Sequence, residues 1–113
     1  MKKNTWINAL VVLMVLIIAL VILLHSSSTP KTSEELAKCI GERSTVYVQL
    51  GCPHCADQER MFGDYAHYLN EIDCFYERDK CTGIKGTPTW VIDGKMYEGT
   101  KSIKTLANLT GCQ

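Results

Sequence analysis

The chain carries two cysteines separated by two residues, in the segment Cys52-Pro53-His54-Cys55. The apolar run before them, Val46 to Gly51, is typical of a strand, and the segment after them is typical of a helix. A helix amino terminus bears about +0.5 elementary charge and unpaired N–H groups, which favour a thiolate over a thiol. Because the thiolate is the nucleophile of thiol–disulfide exchange, this position suits a redox-active pair.

The spacing predicts a role for each residue of this motif. Cys52 stands at the helix start and is the predicted nucleophile, and Cys55, one turn later, is the predicted resolving thiol. His54, charged or as a donor, favours the Cys52 thiolate and so makes the disulfide more oxidising. Pro53 suits the first helical turn, where its missing N–H would be unpaired anyway. A purely structural bond is less favoured, because a disulfide across two residues gains little from loop closure.

Metal and haem binding are other uses of a C-x-x-C pair. A zinc site needs a second such pair, but six residues separate Cys74 from Cys81. Haem attachment needs a histidine directly after the second cysteine, where this chain has Ala56. We therefore predict no metal site and no bound cofactor, only a redox-active Cys52–Cys55 disulfide.

Thr87 and Pro88 precede a run typical of a strand, and proline is tolerated at the first residue of a strand. A cis bond before proline costs only about 0.5–1 kcal/mol. A cis Pro88 can lie beside the Cys52 sulfur and leave backbone free to pair with a substrate peptide, whereas an ordinary trans turn is the alternative. We predict substrate binding at Thr87 and Pro88. Trp90 belongs either to the core or to the rim of the active site, and its place after Pro88 favours the rim.

The remaining patterns predict an α/β layout: a strand–helix–strand unit, then a hairpin and a last helix. The first half of the sheet is expected to be parallel. The first predicted helix, 33–40, has a Thr32/Glu35 capping box and stops at Gly41. A strand at 44–50, a helix at 56–69 opened by Pro53, a strand at 72–76 and a short helix or turn at 79–84 follow. The last elements are strands at 89–92 and 95–97 around an Asp93-Gly94 turn, and a helix that Ser102 caps, that runs through Leu109 and that Gly111 ends.

An apolar segment, Ile7–Leu24, is long enough to cross a bilayer, at about 1.5 Å per residue. Lys2 and Lys3 precede it, so the positive-inside rule places the amino terminus in the cytoplasm. We predict a membrane anchor at 1–25, a polar linker at 26–32 and a globular domain at 33–113. A cleaved signal peptide ending near the serines at 26–28 is the alternative, and it places the domain in the same compartment.

The part after the anchor, 31–113, contains ten basic and twelve acidic residues and all six cysteines. Its net charge of −2, without a basic patch, argues against nucleic acid as a partner. Six cysteines in so short a segment outside the cytoplasm indicate disulfides.

Together these motifs resemble a thioredoxin-fold protein. The C-P-H-C segment is similar to that of periplasmic disulfide oxidases. The resemblance is closer to the thioredoxin-like domain that accompanies, fused or separate, bacterial and archaeal homologues of vitamin K epoxide reductase. It covers about Glu35 to Cys112. The residues that carry it are Cys52-Pro53-His54-Cys55-Ala56-Asp57-Gln58-Glu59, Met61-Phe62-Gly63, Cys74, Cys81, Gly86, Thr87-Pro88-Thr89-Trp90, Asp93-Gly94-Lys95-Met96-Tyr97 and Gly99.

The resemblance implies a central four-stranded mixed sheet flanked by helices, a cis Pro88, and a Cys52–Cys55 pair that cycles between disulfide and dithiol. It also implies an integral-membrane, quinone-linked partner that reoxidises the pair. Two positions depart from the family pattern. Gly51 stands where an aromatic residue usually precedes the first cysteine, and Val46 stands where many thioredoxin-fold proteins carry a buried acid.

The other four cysteines allow three pairings. We favour Cys39–Cys112, which would join the ends of the first and last predicted helices of the domain, and Cys74–Cys81, a local bridge. Such bonds contribute roughly 2–4 kcal/mol each. The alternative is that Cys74 and Cys81 form a second redox pair that relays electrons to or from Cys55.

The predicted function is that of a membrane-tethered thiol–disulfide oxidoreductase. Its domain would face the extracytoplasmic side of the cell membrane and oxidise thiols of exported client proteins. Its membrane partner would resemble vitamin K epoxide reductase. The alternatives are a disulfide isomerase or reductase, and a tethered chaperone that binds peptides and whose disulfides are structural.

Overall fold

The computed structural model describes residues 2–25 and 32–113. The predicted linker at 26–32 falls outside the described residues except for Thr32, and the predicted domain boundary stays a prediction. The helices are α1 (Lys2–His25), α2 (Glu34–Arg43), α3 (Pro53–Phe62) and α4 (Ile103–Thr110), with short 3-10 helices at Gly63–Tyr68 and Arg78–Cys81. The strands are β1 (Thr45–Val48), β2 (Glu71–Asp73), β3 (Thr89–Ile92) and β4 (Lys95–Glu98).

The four strands form one mixed sheet in the order β2-β1-β3-β4. β1 pairs with β2 in parallel, with Val46 opposite Glu71. β1 pairs with β3 antiparallel, and β3 with β4 antiparallel, so that Val46 also lies opposite Trp90. The predicted α/β class and the mixed four-stranded sheet are confirmed.

Helices α2, α3 and α4 pack with the sheet around one apolar core. Ile40 of α2, Phe62 of α3, Trp90 of β3 and Leu106 of α4 are all fully buried in it. The apolar face of each helix therefore points inward, as the sequence pattern requires.

Two disulfides lie outside the C-P-H-C motif. Cys39 of α2 is bonded to Cys112, just after α4, with their Cα atoms 5.9 Å apart. Cys74 and Cys81 are bonded across the segment after β2, with a Cα separation of 5.7 Å. The first bond joins α2 to the segment just after α4, and the second closes a local loop.

The start of α2 differs from the prediction. Ser33 is the N-cap, and its side chain accepts a hydrogen bond from the Leu36 N–H at 3.2 Å. Thr32 instead donates its hydroxyl to the Met61 carbonyl at 3.0 Å, so the predicted Thr32/Glu35 capping box is wrong. Gly41 does not end the helix either, since α2 continues to Arg43. Gly41 instead lies buried where α2 crosses the backbone of Tyr68.

The predicted long helix at 56–69 is interrupted. α3 ends at Phe62 because Gly63 has a φ of 56°, and the chain continues as a 3-10 helix. β2 is three residues long, shorter than the predicted 72–76, because the backbone N–H groups of Phe75, Tyr76 and Glu77 turn back to Asp73.

The amino-terminal helix contains the predicted span. Its segment Asn4–Leu24 has a mean hydropathy of 3.3, and none of it is buried inside the protein. Helix α1 therefore has the length and composition to cross a membrane, properties that a signal sequence near an amino terminus shares.

A methyl group at position 41 is expected to destabilise the fold. Alanine would normally gain about 1 kcal/mol over glycine inside a helix. In Gly41→Ala, however, the new Cβ would overlap the carbonyl oxygen of Tyr68. Overpacking of this kind costs about 1–3 kcal/mol, so we expect a net loss in urea unfolding of the chain in detergent micelles. Gly86→Ala is the control, because no atom lies within 4 Å of a Cβ there. A stabilised Gly41→Ala would contradict the packing of α2 on Tyr68.

The two outer disulfides are expected to contribute unequally to stability. Their sequence separations are 73 and 7 residues, so loop-closure entropy predicts about 4 kcal/mol for Cys39–Cys112 and about 2 kcal/mol for Cys74–Cys81. We expect the Cys39→Ala/Cys112→Ala variant to lower the urea midpoint more than Cys74→Ala/Cys81→Ala does. Equal midpoints in the two double variants would show that chain entropy is not the main contribution.

Candidate active site

The turn between β1 and α3 presents the C-P-H-C motif. The Cys52 N–H donates to the Gln49 carbonyl at 3.0 Å, and Gly51 has a φ of 82°. This left-handed backbone favours glycine over an aromatic residue at position 51. The chain then enters α3 with Cys52 as the N-cap and Pro53 as the first helical residue.

The structure joins Cys52 to Cys55 by a disulfide, with their Cα atoms 5.3 Å apart. The Cys52 sulfur also accepts a hydrogen bond from the Cys55 N–H at 3.2 Å. Cys52 is half-buried, whereas Cys55 is only 3% exposed. The Cys52 sulfur is therefore the more accessible of the two to an incoming molecule. This geometry suits the predicted roles of nucleophile and resolving thiol.

His54 lies on the solvent side of the helix start. Its side chain is 77% exposed, and its Nδ1 lies 3.9 Å from a carboxylate oxygen of Asp57. Asp57 also pairs with Arg60, so its charge is shared between two partners. A protonated His54 would add positive charge at the helix end that faces the Cys52 thiolate.

Thr87 lies against Cys52, and Pro88 follows it in the chain. The Thr87–Pro88 peptide bond is cis. The Thr87 hydroxyl and the Thr87 carbonyl oxygen each lie 3.5 Å from the Cys52 sulfur. Pro88 is buried, and its carbonyl accepts a hydrogen bond from the Gly99 N–H at 2.8 Å. Thr87, rather than Pro88, therefore offers polar groups to a molecule bound at Cys52.

Trp90 does not flank the active site, so that expectation is wrong. Its ring is fully buried, 6.2 Å from the ring of Phe62, and its Nε1–H donates to the Gln58 side chain at 3.0 Å. The inward face of β3 points the side chain into the core, where a substrate has no access.

Gln58 is a positioning residue that the sequence analysis missed. The side chain is 1% exposed, and its carbonyl oxygen accepts from Trp90 Nε1–H and from the Lys101 N–H at 2.7 Å. Its amide donates to the Lys101 carbonyl at 2.9 Å. These bonds hold α3 to β3 and to the segment before α4. The available signal was a polar residue on the same helical stripe as Cys55 and Phe62.

The Cys74–Cys81 loop lies at the same end of the sheet as the motif. The Cys74 N–H donates to the Val48 carbonyl at 2.8 Å, four residues before Cys52. Both cysteines of the loop are half-buried. The hydrogen bond between Cys74 and Val48 thus holds the start of the loop to the end of β1, close to the turn that carries Cys52.

Comparison with known proteins identifies a relative that matches the chain over part of its length. No family model matches the chain. The thiol-disulfide oxidoreductase LTO1 of Arabidopsis thaliana is 34% identical over 98 residues, which cover 76% of this chain and 26% of LTO1. The chain thus spans about a quarter of the length of this curated relative. This chain is therefore a partial homologue of a thiol-disulfide oxidoreductase.

The Thr87 hydroxyl is expected to stabilise the Cys52 thiolate. A hydrogen bond to a charged group contributes about 1.5 kcal/mol, so Thr87→Val should raise the Cys52 thiol pKa by about 1 unit. The reduction potential should fall by about 30 mV, because the dithiol loses the same stabilisation. Thiolate absorbance against pH measures the Cys52 pKa, and equilibrium with glutathione measures the reduction potential. Thr82→Val, at an exposed turn, is the control. An unchanged Cys52 pKa in Thr87→Val would contradict this role.

Proposed function

We propose that this protein is a membrane-tethered thiol–disulfide oxidoreductase with a thioredoxin-like fold. The observation that carries the proposal is the pairing of a half-buried Cys52, at the N-cap of α3 and beside Thr87, with a buried Cys55. This arrangement exposes one sulfur to attack and shields the other. The similarity to a thiol-disulfide oxidoreductase of Arabidopsis thaliana supports the same chemistry.

The order of elements supports the thioredoxin-like assignment. A parallel β1–α3–β2 unit is followed by the antiparallel hairpin β3–β4 and by α4. The cysteine pair stands where β1 meets α3. The Thr87–Pro88 bond comes directly before β3, the strand that lies next to β1 in the sheet.

The oxidation of a client proceeds by two exchanges. A client thiolate attacks the Cys52 sulfur, the Cys52–Cys55 bond breaks, and Cys55 leaves as a thiolate. A second client thiolate then attacks the client sulfur of the mixed disulfide, and Cys52 leaves as a thiolate. The client loses two electrons to the cysteine pair. The Cys55 N–H, the Thr87 hydroxyl and the helix amino terminus all stabilise the departing Cys52 thiolate.

Reoxidation requires a partner that accepts these two electrons. We assign this role to an integral-membrane, quinone-linked reductase resembling vitamin K epoxide reductase. The Cys52 thiolate would attack a disulfide of that partner, and Cys55 would then displace the partner's thiolate. An anchor at α1 would keep the domain at the membrane surface, where such a partner lies. The lysines at positions 2 and 3 would hold the amino terminus in the cytoplasm, so the domain would meet exported proteins.

The reduction potential of the Cys52–Cys55 pair tests the direction of electron flow. We expect a value of about −120 to −180 mV by equilibrium with glutathione, the range of oxidases and isomerases of this chemistry. The N-terminal helical position of Cys52 stabilises its thiolate, and hence the dithiol, which raises the potential. A value at or below about −270 mV would make the protein a tethered reductant and would exclude the oxidase.

Two variants separate catalysis from the alternatives. Oxidation of a reduced, unfolded protein substrate should be lost in Cys52→Ser and retained in Cys74→Ala/Cys81→Ala. Loss in the second variant, with folding intact, would indicate a relay through Cys74 and Cys81. Suppression of substrate aggregation that survives Cys52→Ser, without any oxidation by the wild type, would favour the chaperone.

A further inference from the structure

A cleft of about 360 Å³ opens on the side of the motif next to β1 and β2. Both cysteines of the motif line it. Three carboxylate side chains line it as well: Glu59, Glu71 and Asp73. The cleft thus brings acidic residues and both cysteines of the disulfide to one shared surface.

Cys55 has a particular need for a nearby proton acceptor. The residue is only 3% exposed, so bulk solvent has little direct access to its sulfur. The acid that many thioredoxin-fold proteins carry six residues before the first cysteine is replaced here by Val46, which is itself buried. The position that would normally supply a carboxylate is therefore apolar.

The sheet register puts a carboxylate next to that position. Val46 is paired with Glu71 across the parallel β1–β2 ladder. Paired residues of neighbouring strands project from the same face of a sheet, so the Glu71 side chain lies beside Val46 on the cleft side. Glu59 reaches the same cleft from α3, one helical turn after Cys55.

The three carboxylates differ in how they are engaged. Asp73 accepts hydrogen bonds from the N–H groups of Leu50, at 3.2 Å, and Phe75, at 2.8 Å, so it holds the loops on either side. Glu71 is exposed as a whole, but desolvation of its carboxyl group, together with the charges of Glu59 and Asp73, raises its pKa. A carboxyl with a raised pKa exchanges protons with a thiol more readily, because the two proton affinities are closer.

We propose that Glu71 is the proton-exchange partner of Cys55, acting across the cleft. This inference rests on the proposed thiol–disulfide exchange. When the disulfide breaks, Cys55 leaves as a thiolate and takes a proton from the Glu71 carboxylic acid, which becomes a carboxylate. When the disulfide re-forms, the Glu71 carboxylate takes the proton from the Cys55 thiol. The resulting thiolate attacks the Cys52 sulfur and displaces the bound thiolate.

The test compares two properties of Glu71→Gln in the full chain in detergent micelles. The first is the Cys55 thiol pKa, measured by thiolate absorbance in a Cys52→Ala background. Removing a neighbouring negative charge should lower it by about 1 unit. The second is the resolution step in reduced protein with both motif cysteines. With 5,5′-dithiobis(2-nitrobenzoate), Cys52 releases the first aryl thiolate and Cys55 the second. Loss of the proton acceptor should slow the second release about tenfold at neutral pH.

The opposite signs of these two effects make the test decisive. If Glu71 acted only through its charge, the lower Cys55 pKa would supply more thiolate and speed the second release, which would overturn the proposal. No change in either property would also overturn it. Glu71→Asp, which keeps the carboxylate, should recover most of the rate. Glu98→Gln, on the opposite edge strand β4, is the matched control and should change neither.

A wild-type protein that shows no second release at all would exclude the proposed exchange, and the inference would fall with it. A normal second release in the wild type, unaffected by Glu71→Gln, would leave the exchange in place and remove only the role of Glu71.

Discussion

Parallel strands need a crossover connection, and between β1 and β2 the chain makes it with α3 and the 3-10 helix that follows. This connection brings the carboxyl ends of both strands to the same edge of the sheet. The Cys52 turn follows β1 there, and the Cys74–Cys81 loop follows β2. The same pairing places Glu71 beside Val46. The positions of the Cys52 turn, of the Cys74–Cys81 loop and of the acidic cleft are therefore all consequences of one strand pairing.

A second constraint fixes the other side of the motif. The Cys52 sulfur and Thr87 come from segments 35 residues apart in the chain, yet they lie within 3.5 Å. Gln58 links these segments, because its amide group binds both the Trp90 ring and the backbone of Lys101. A buried amide with every polar atom satisfied is rigid and specific, since leaving a partner unpaired would cost about 1–3 kcal/mol. The alignment of α3 with the Thr87–Pro88 segment thus depends on contacts in the core.

Local patterns predicted the elements that carry the motif, and tertiary contacts decided the rest. The strand-to-helix turn at Cys52, the hairpin at Asp93-Gly94 and the Ser102 cap of α4 are encoded in short stretches, and each is present. The capping box at Thr32 failed because a neighbouring serine serves as the cap, while Thr32 binds a carbonyl 29 residues away. The predicted location of Trp90 at the active site was wrong because its hydrogen-bond partner in the core, Gln58, is distant in sequence. The acidic lining of the cleft depends on strand register, which no local pattern specifies.

The glycine before Cys52 has a consequence for the choice of substrates. Gly51 has a left-handed backbone, and no atom lies within 4 Å of where its side chain would be. On that side, the Cys52 sulfur is thus bordered by backbone atoms and by no side chain. A bound polypeptide of any sequence would contact the same backbone atoms there. At position 51, therefore, the protein has no side chain that would distinguish one bound polypeptide from another by its shape. Under the proposed function, clients would therefore be selected on this side by the accessibility of their cysteines rather than by the side chains around them.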